Sequence, residues 1–148
     1  MSDFHLAPVL RLLQSGDALR ARLAGEFSAV HGLSVNEMFL LMQLEQAAKH
    51  RLSRVELARR LHMSASTVTR MAAPMEKLGL VGRQADERDA RLAFVVLTKA
   101  GLQKVADARE TFADQAAMVF RDRWAKEDIE QLSELLGRLV TDAPGSLT

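Results

Sequence analysis

The sequence contains no cysteine. A disulfide framework, a thiolate metal site and a cysteine redox switch are therefore excluded for this chain. No apolar run approaches the ~20 residues needed to span a bilayer. The first residues lack the basic-then-apolar order of a secretory signal. A cytoplasmic location and no membrane partner are expected. There is no glycine-rich phosphate loop, no nucleophile motif and no acid/base pair with supporting spacing, so neither an enzyme nor a cofactor is expected. The four histidines (His5, His31, His50, His62) are scattered, and none stands four residues from another. No metal is expected, and a His/Glu set assembled only in space is the remaining alternative. Excess charge is missing too: 20 Lys and Arg face 19 Asp and Glu, a net of +1.

What the chain has in quantity is apolar helix. Of its 148 residues 48% are hydrophobic, enough for a core and too many for a disordered protein. Asp3 to His31 reads as a long helix. Its first half carries Phe4, Leu6, Val9, Leu10, Leu12 and Leu13, an arc wider than one buried stripe needs. Leu33 to Ala48 is the next helix, with Ser34 and Glu37 as a capping box and Leu33 with Met38 as its staple. Lys49-His50-Arg51 is a basic connection, read as an exposed loop with phosphate contact as the alternative. Thr98 reads as the N-cap of a helix reaching about Arg123, and Lys126 to Val140 as the last helix. The first helix and these two have too little chain around them to bury their apolar sides, a need that a symmetric dimer meets. The tail, Asp142 to Thr148, is expected to fray.

The organising stretch runs from Ser53 to Thr98. Ser53 and Glu56 form a capping box, and Val55, Leu57, Ala58 and Leu61 supply a short apolar stripe. His62-Met63 makes a turn, and Ser64 caps a second helix. Val68, Met71, Met75 and Leu78 mark the buried side of that helix. At about 100° per residue, Ser66, Thr69, Arg70, Ala73 and Lys77 fall on the other side. Pro74 removes a hydrogen bond to the Arg70 carbonyl and predicts a kink or early loosening, not a failure of the helix. Gly79 is placed as the left-handed stop. Leu80 to Arg83 and Leu92 to Leu97 read as two strands, joined by the charged tip Asp86-Glu87-Arg88-Asp89-Ala90-Arg91. The fold class is mainly α with a small β-wing: a winged helix-turn-helix over 33–98, with dimerisation helices over 1–32 and 99–148. Charge is segregated accordingly. Between Arg51 and Arg91 nine Arg and Lys face five acids, giving +4, while the remainder is −3. A basic module on a mildly acidic scaffold suits binding to backbone phosphates.

The residues E-L-A-R-R-L-H-M-S-A-S-T-V-T-R, K-L-G-L-V, D-E-R-D-A-R and V-x-L-T-x-x-G (Val95 to Gly101) follow one another in the order and spacing of the MarR family of bacterial transcription regulators, which this chain resembles over nearly its whole length. The resemblance implies a homodimer on double-stranded DNA, most often a repressor, with terminal helices interlocked between subunits. Each second helix would enter a major groove, at half-sites about one helical turn apart. Ser64, Ser66 and Thr67 would hold phosphates, helped by the helix N-terminus. Thr69 and Arg70 would meet base edges, and Lys77 the backbone. Arg88 would enter a minor groove, where negative potential is focused, with Asp86 as its brace. Arg83 and Arg91 would be phosphate contacts or brace partners. The family often senses small aromatic or phenolic compounds, and His31, Met38, Met42 and Phe112 are candidates to line such a site. The competing readings are a winged-helix protein-interaction module that has lost DNA, an activator without ligand response, and a small enzyme or metal-storage protein.

Overall fold

The computed structural model of the chain describes residues 3–89, 91–140 and 144–147. These divide into two compact units, Met1–Val35 and Asn36–Thr148.

The first unit is essentially one helix, α1 (Leu6–His31), ended by Gly32 in the left-handed conformation. It starts three residues later than expected, because Asp3 is in a turn whose carbonyl accepts from the amides of Leu6 and Ala7. Phe27 is its one buried residue; Phe4 ahead of it and Leu6, Val9, Leu10 and Leu13 along it are exposed.

The second unit takes in α2 (Val35–Gln46) from Asn36 onward, then a short 3-10 turn (Ala48–His50), β1 (Arg51–Ser53), α3 (Arg54–Leu61), α4 (Ala65–Lys77), β2 (Val81–Ala85), β3 (Ala93–Leu97), α5 (Lys99–Val119) and α6 (Lys126–Val140). Local capping sets its boundaries. The Ser53 hydroxyl accepts from the Glu56 amide at 3.1 Å, and the Ser64 hydroxyl from the Thr67 amide at 3.2 Å, each satisfying a helix donor that lacks an internal partner. His62, left-handed at φ 55, ends α3, and the Met63 amide returns to the Ala58 carbonyl at 3.0 Å. Gly79 ends α4 in the same way at φ 75. Leu57, Ala58, Val68, Ala72 and Met75 lie in the core beneath these two helices.

Several expectations are corrected here. The connection Lys49-His50-Arg51 is not simply a loop. Arg51 opens β1, which pairs antiparallel with β3 (Leu52 opposite Val95), so the sheet has three strands in the order β1-β3-β2. Val55 and Leu78, placed on buried stripes by their spacing, are 71% and 67% exposed because each sits at the end of a short helix, beyond the core. At Pro74 the expectation that the helix would not fail holds, and α4 runs on to Lys77. Pro74 falls in the last turn, where only one hydrogen bond is forfeited. Helix α5 stops at Val119, short of Arg123. Of the tail, 142, 143 and 148 lie outside the described residues, but Pro144 to Leu147 are packed, not frayed, and accept hydrogen bonds from α2.

The joint between the sheet and α5 is closely packed at Gly101. The Thr98 hydroxyl accepts from the Gly101 amide at 3.0 Å and caps α5, while it donates to the Gly79 carbonyl at 2.6 Å. The Thr98 amide donates to the Leu80 carbonyl at 3.1 Å. Gly101 lies so close to that carbonyl that a β-carbon would stand 2.0 Å from its oxygen. In contrast, α6 has no buried residue, and Leu135, Leu139 and Val140 are exposed along it.

Candidate nucleic-acid interface

The exposed side of the α3–α4 pair is built from short polar side chains at the start of α4. The Ser64 hydroxyl, held at the N-cap, lies 3.0 Å from that of Ser66 and 2.8 Å from that of Thr67. One turn on, the Arg70 guanidinium reaches the Thr67 hydroxyl at 3.4 Å. The first turn of α4 contains no acid, so the partial positive charge of its N-terminus is not neutralised. Ser66, Arg70 and Lys77 are exposed, and Thr67 is half-buried beside them. This places three hydroxyls, a guanidinium and free amides on one surface, a donor-rich arrangement suited to anionic oxygens.

Thr69 stands differently. Its hydroxyl donates to the Ala65 carbonyl at 3.0 Å and accepts from Arg54 at 3.3 Å. The side chain expected to read base edges is therefore engaged within the protein. Beside it lies a narrow cleft of about 70 Å³ between α4 and the ribbon, walled by Ala72, Ala73, Gly82 and Phe94. Arg83 crosses the edge of this region to pair with Glu76 at 3.0 Å.

At the ribbon tip the pairing also differs from the expected one. Asp86 accepts from the backbone amide of Arg88 at 2.8 Å, not from its guanidinium. The carboxylate that engages a guanidinium is Asp89, with Arg91 at 3.3 Å. The Asp86 bond closes a turn that fixes the backbone of Arg88, whose side chain is exposed and paired with no carboxylate among the described residues. Ala90, within the tip motif, lies outside the described residues.

Two cationic groups, read in the sequence as part of a basic connection, lie behind the tip, a placement the sequence did not indicate. Arg51 stacks on Phe94, 4.5 Å from the ring centre, and donates to Gln84 at 2.9 Å. Lys49, left-handed at φ 57, shares a polar hollow of about 600 Å³ with Arg51, Gln84, Asp86, Glu87, Arg88 and Phe94. A three-residue strand is too short to show periodicity, and only pairing with β3 reveals that Arg51 faces the ribbon. Not every nearby base is available. Arg59 grips Glu56 through two bonds of 3.0 and 2.8 Å, and Arg60 adds a third at 3.0 Å. These bonds, from Arg59 first and Arg60 next, hold the Glu56 carboxyl down to about 2 and raise the Arg59 guanidinium.

The residues named for ligand binding are spread over both units. His31 ends α1, its ring 5.2 Å from that of Phe27. Met38 and Met42 lie on α2 and Phe112 on α5; Met38 is fully buried, while the other three are partly exposed. Among the described residues no group of three or more His, Asp or Glu is arranged to hold a metal, and no helix is long and apolar enough to cross a membrane.

Comparison with known proteins places this geometry. The family model described as "MarR family" matches residues 33–92. An HTH-type transcriptional regulator of Bacillus subtilis, YxaD, is 28% identical over 107 residues, covering 72% of this chain and 73% of its own length. The HTH-type transcriptional repressor YetL of the same organism is 27% identical over 124 residues, 76% of this chain and 70% of its own. Among solved structures, Sco3205 of Streptomyces coelicolor, a MarR family transcriptional regulator in complex with DNA, superposes with a TM-score of 0.80 over 96% of this chain and 88% of that one, at 22% identity.

Proposed function

We propose that this chain, whose residues 33–92 match the MarR family model, is a transcription regulator and a homodimeric repressor. It binds a pseudo-palindromic operator in double-stranded DNA, and a small aromatic or phenolic effector releases it. The observation that carries DNA binding is the N-terminal half of α4, where Ser64, Ser66, Thr67 and Arg70 form an exposed donor surface with no acid in the first turn. The Sco3205 structure holds DNA and YetL is named a repressor, and both support the reading.

Contacts divide by chemistry. The three hydroxyls and the helix N-terminus take phosphates, which set register without reading sequence. Arg70 carries the base-edge role, since the Thr69 hydroxyl is already engaged. Lys77 contacts the backbone. Arg88 enters the minor groove from a tip whose turn is closed by Asp86, and Arg83 and Arg91 act mainly as braces through Glu76 and Asp89. The exposed apolar sides of α1 and α6 form the subunit interface and set the distance between the two α4 helices.

An effector acts by favouring a spacing that mismatches the operator, and shifts the balance only by its difference in affinity for the two states. His31, Met38, Met42 and Phe112 are the proposed lining. Operator release by an aromatic acid that is unchanged in His31→Ala and Met42→Ala would remove these two from it.

The test of the regulator is binding to the DNA flanking the protein's own gene, at two salt concentrations, for wild type and Arg88→Ala. Selective, salt-sensitive binding weakened by the substitution is expected. Sequence-blind binding that Arg88→Ala leaves unchanged would sink the proposal.

A further inference from the structure

The segment after α6 lies against the α2–α3 side of the second unit. Gln43 and Gln46 stand one turn apart on α2. The Gln43 side-chain amide donates to the Gly145 carbonyl, and the Gln46 amide donates to the Leu147 carbonyl at 3.3 Å. Two uncharged amides thus address main-chain carbonyls two residues apart, which is recognition of a peptide backbone and not of a charged group. The fit is specific at Gly145. Its φ is +82, and a β-carbon there would stand 2.7 Å from both the Cβ and the carbonyl oxygen of Arg60 and 2.9 Å from the Gln43 amide nitrogen. Glycine alone combines that backbone conformation with that approach. Gln43 is buried, and its Oε1 has no hydrogen-bond partner among the described residues. Burying an unmet acceptor offsets part of what the two donor bonds contribute.

We propose that Gln43, Gln46 and Arg60 form a peptide-binding notch whose occupant is the chain's own segment Pro144–Leu147, and that occupancy braces α3 against α2. The notch ties the segment following α6 to the helix that backs α4. Its consequence for operator affinity rests on the regulator reading above; the existence of the notch does not.

The experiment uses the full chain as wild type, Gly145→Ala and Gln46→Ala. Selective labelling of glutamine side chains follows the Gln43 amide by NMR, and operator affinity is measured in parallel. In the wild type the Gln43 amide protons are expected to be shifted and protected from exchange. Gly145→Ala is expected to move them to the position of a solvent-exposed glutamine, with exchange roughly tenfold faster or more. Operator affinity is expected to fall roughly threefold to tenfold in Gly145→Ala, and by less in Gln46→Ala. Gln43 signals that are the same in wild type and Gly145→Ala overturn the notch. Signals that move while affinity stays constant overturn the bracing role. If the wild type binds no DNA selectively, the regulator reading fails, while the Gln43 signals still decide the notch.

Discussion

Replacing Gly101 by alanine tests the joint on which the placement of the wing depends. Helix propensity alone predicts a gain, since Gly101 lies in the first turn of α5 and alanine is favoured over glycine by about 1 kcal/mol in a helix interior. The structure predicts the opposite sign. The new β-carbon would stand 2.0 Å from the Leu80 oxygen and 2.7 Å from the Leu97 side chain. A tolerable carbon–oxygen approach is about 3.3 Å, so α5 and the start of β2 must part by about 1 Å or more. The obstacle is backbone, which a rotamer change cannot relieve. Overpacking of this kind costs about 1–3 kcal/mol. Weakening of the Thr98 cap, whose hydroxyl accepts from the same Gly101 amide, costs about 1 kcal/mol more. After the propensity gain, a net loss of about 1–3 kcal/mol is expected, or roughly 3–9 °C in Tm for a chain of this size. The assay is urea unfolding at fixed protein concentration, alongside Ala100→Gly at the exposed neighbouring position, which measures the propensity contribution locally. A Gly101→Ala protein as stable as wild type, or more stable, would refute the reasoning.

Four further outcomes are expected. The folded Glu56 carboxyl titrates at about 2, against an ordinary value of 4.5. Folding therefore favours its ionised form, and its contribution is complete above pH 4.5 and lost as pH falls through about 2. The stability gap between wild type and Glu56→Gln should narrow from pH 5 to pH 2, and a constant gap would contradict the pairing with Arg59 and Arg60. Ser64→Ala should cost about 1 kcal/mol through the lost N-cap and also weaken operator binding, seen as a lower denaturation midpoint and a higher Kd; an unchanged midpoint would deny the cap. Leu139→Asp, at an exposed position of α6, should give a folded monomer by sedimentation at concentrations where wild type is a dimer, and an unaltered mass would move the interface elsewhere. Arg88→Ala should lower the slope of log affinity against log salt by about 1, and no change in slope would place that guanidinium away from the DNA.

The sequence by itself determined the local grammar of this protein. Ser53, Ser64 and Thr98 announce three helix starts because a cap is a contact with a residue three positions on, and Gly79 announces a stop because its left-handed geometry belongs to one residue. Lys126–Val140 was legible from spacing alone, as was the charged tip between two strands. Only the tertiary structure decided what depends on residues far apart in the chain. β1 is a strand only because β3, over forty positions away, pairs with it. Val55 and Leu78 obey the helical period yet stay exposed, because periodicity names a face and cannot say where the core ends. The engagement of Thr69 by Arg54, the choice of the Arg88 amide over its guanidinium by Asp86, and the seating of Gly145 against Arg60 are equally invisible to pattern. Each is settled by which atoms folding brings within hydrogen-bond reach, and no period or propensity encodes that distance.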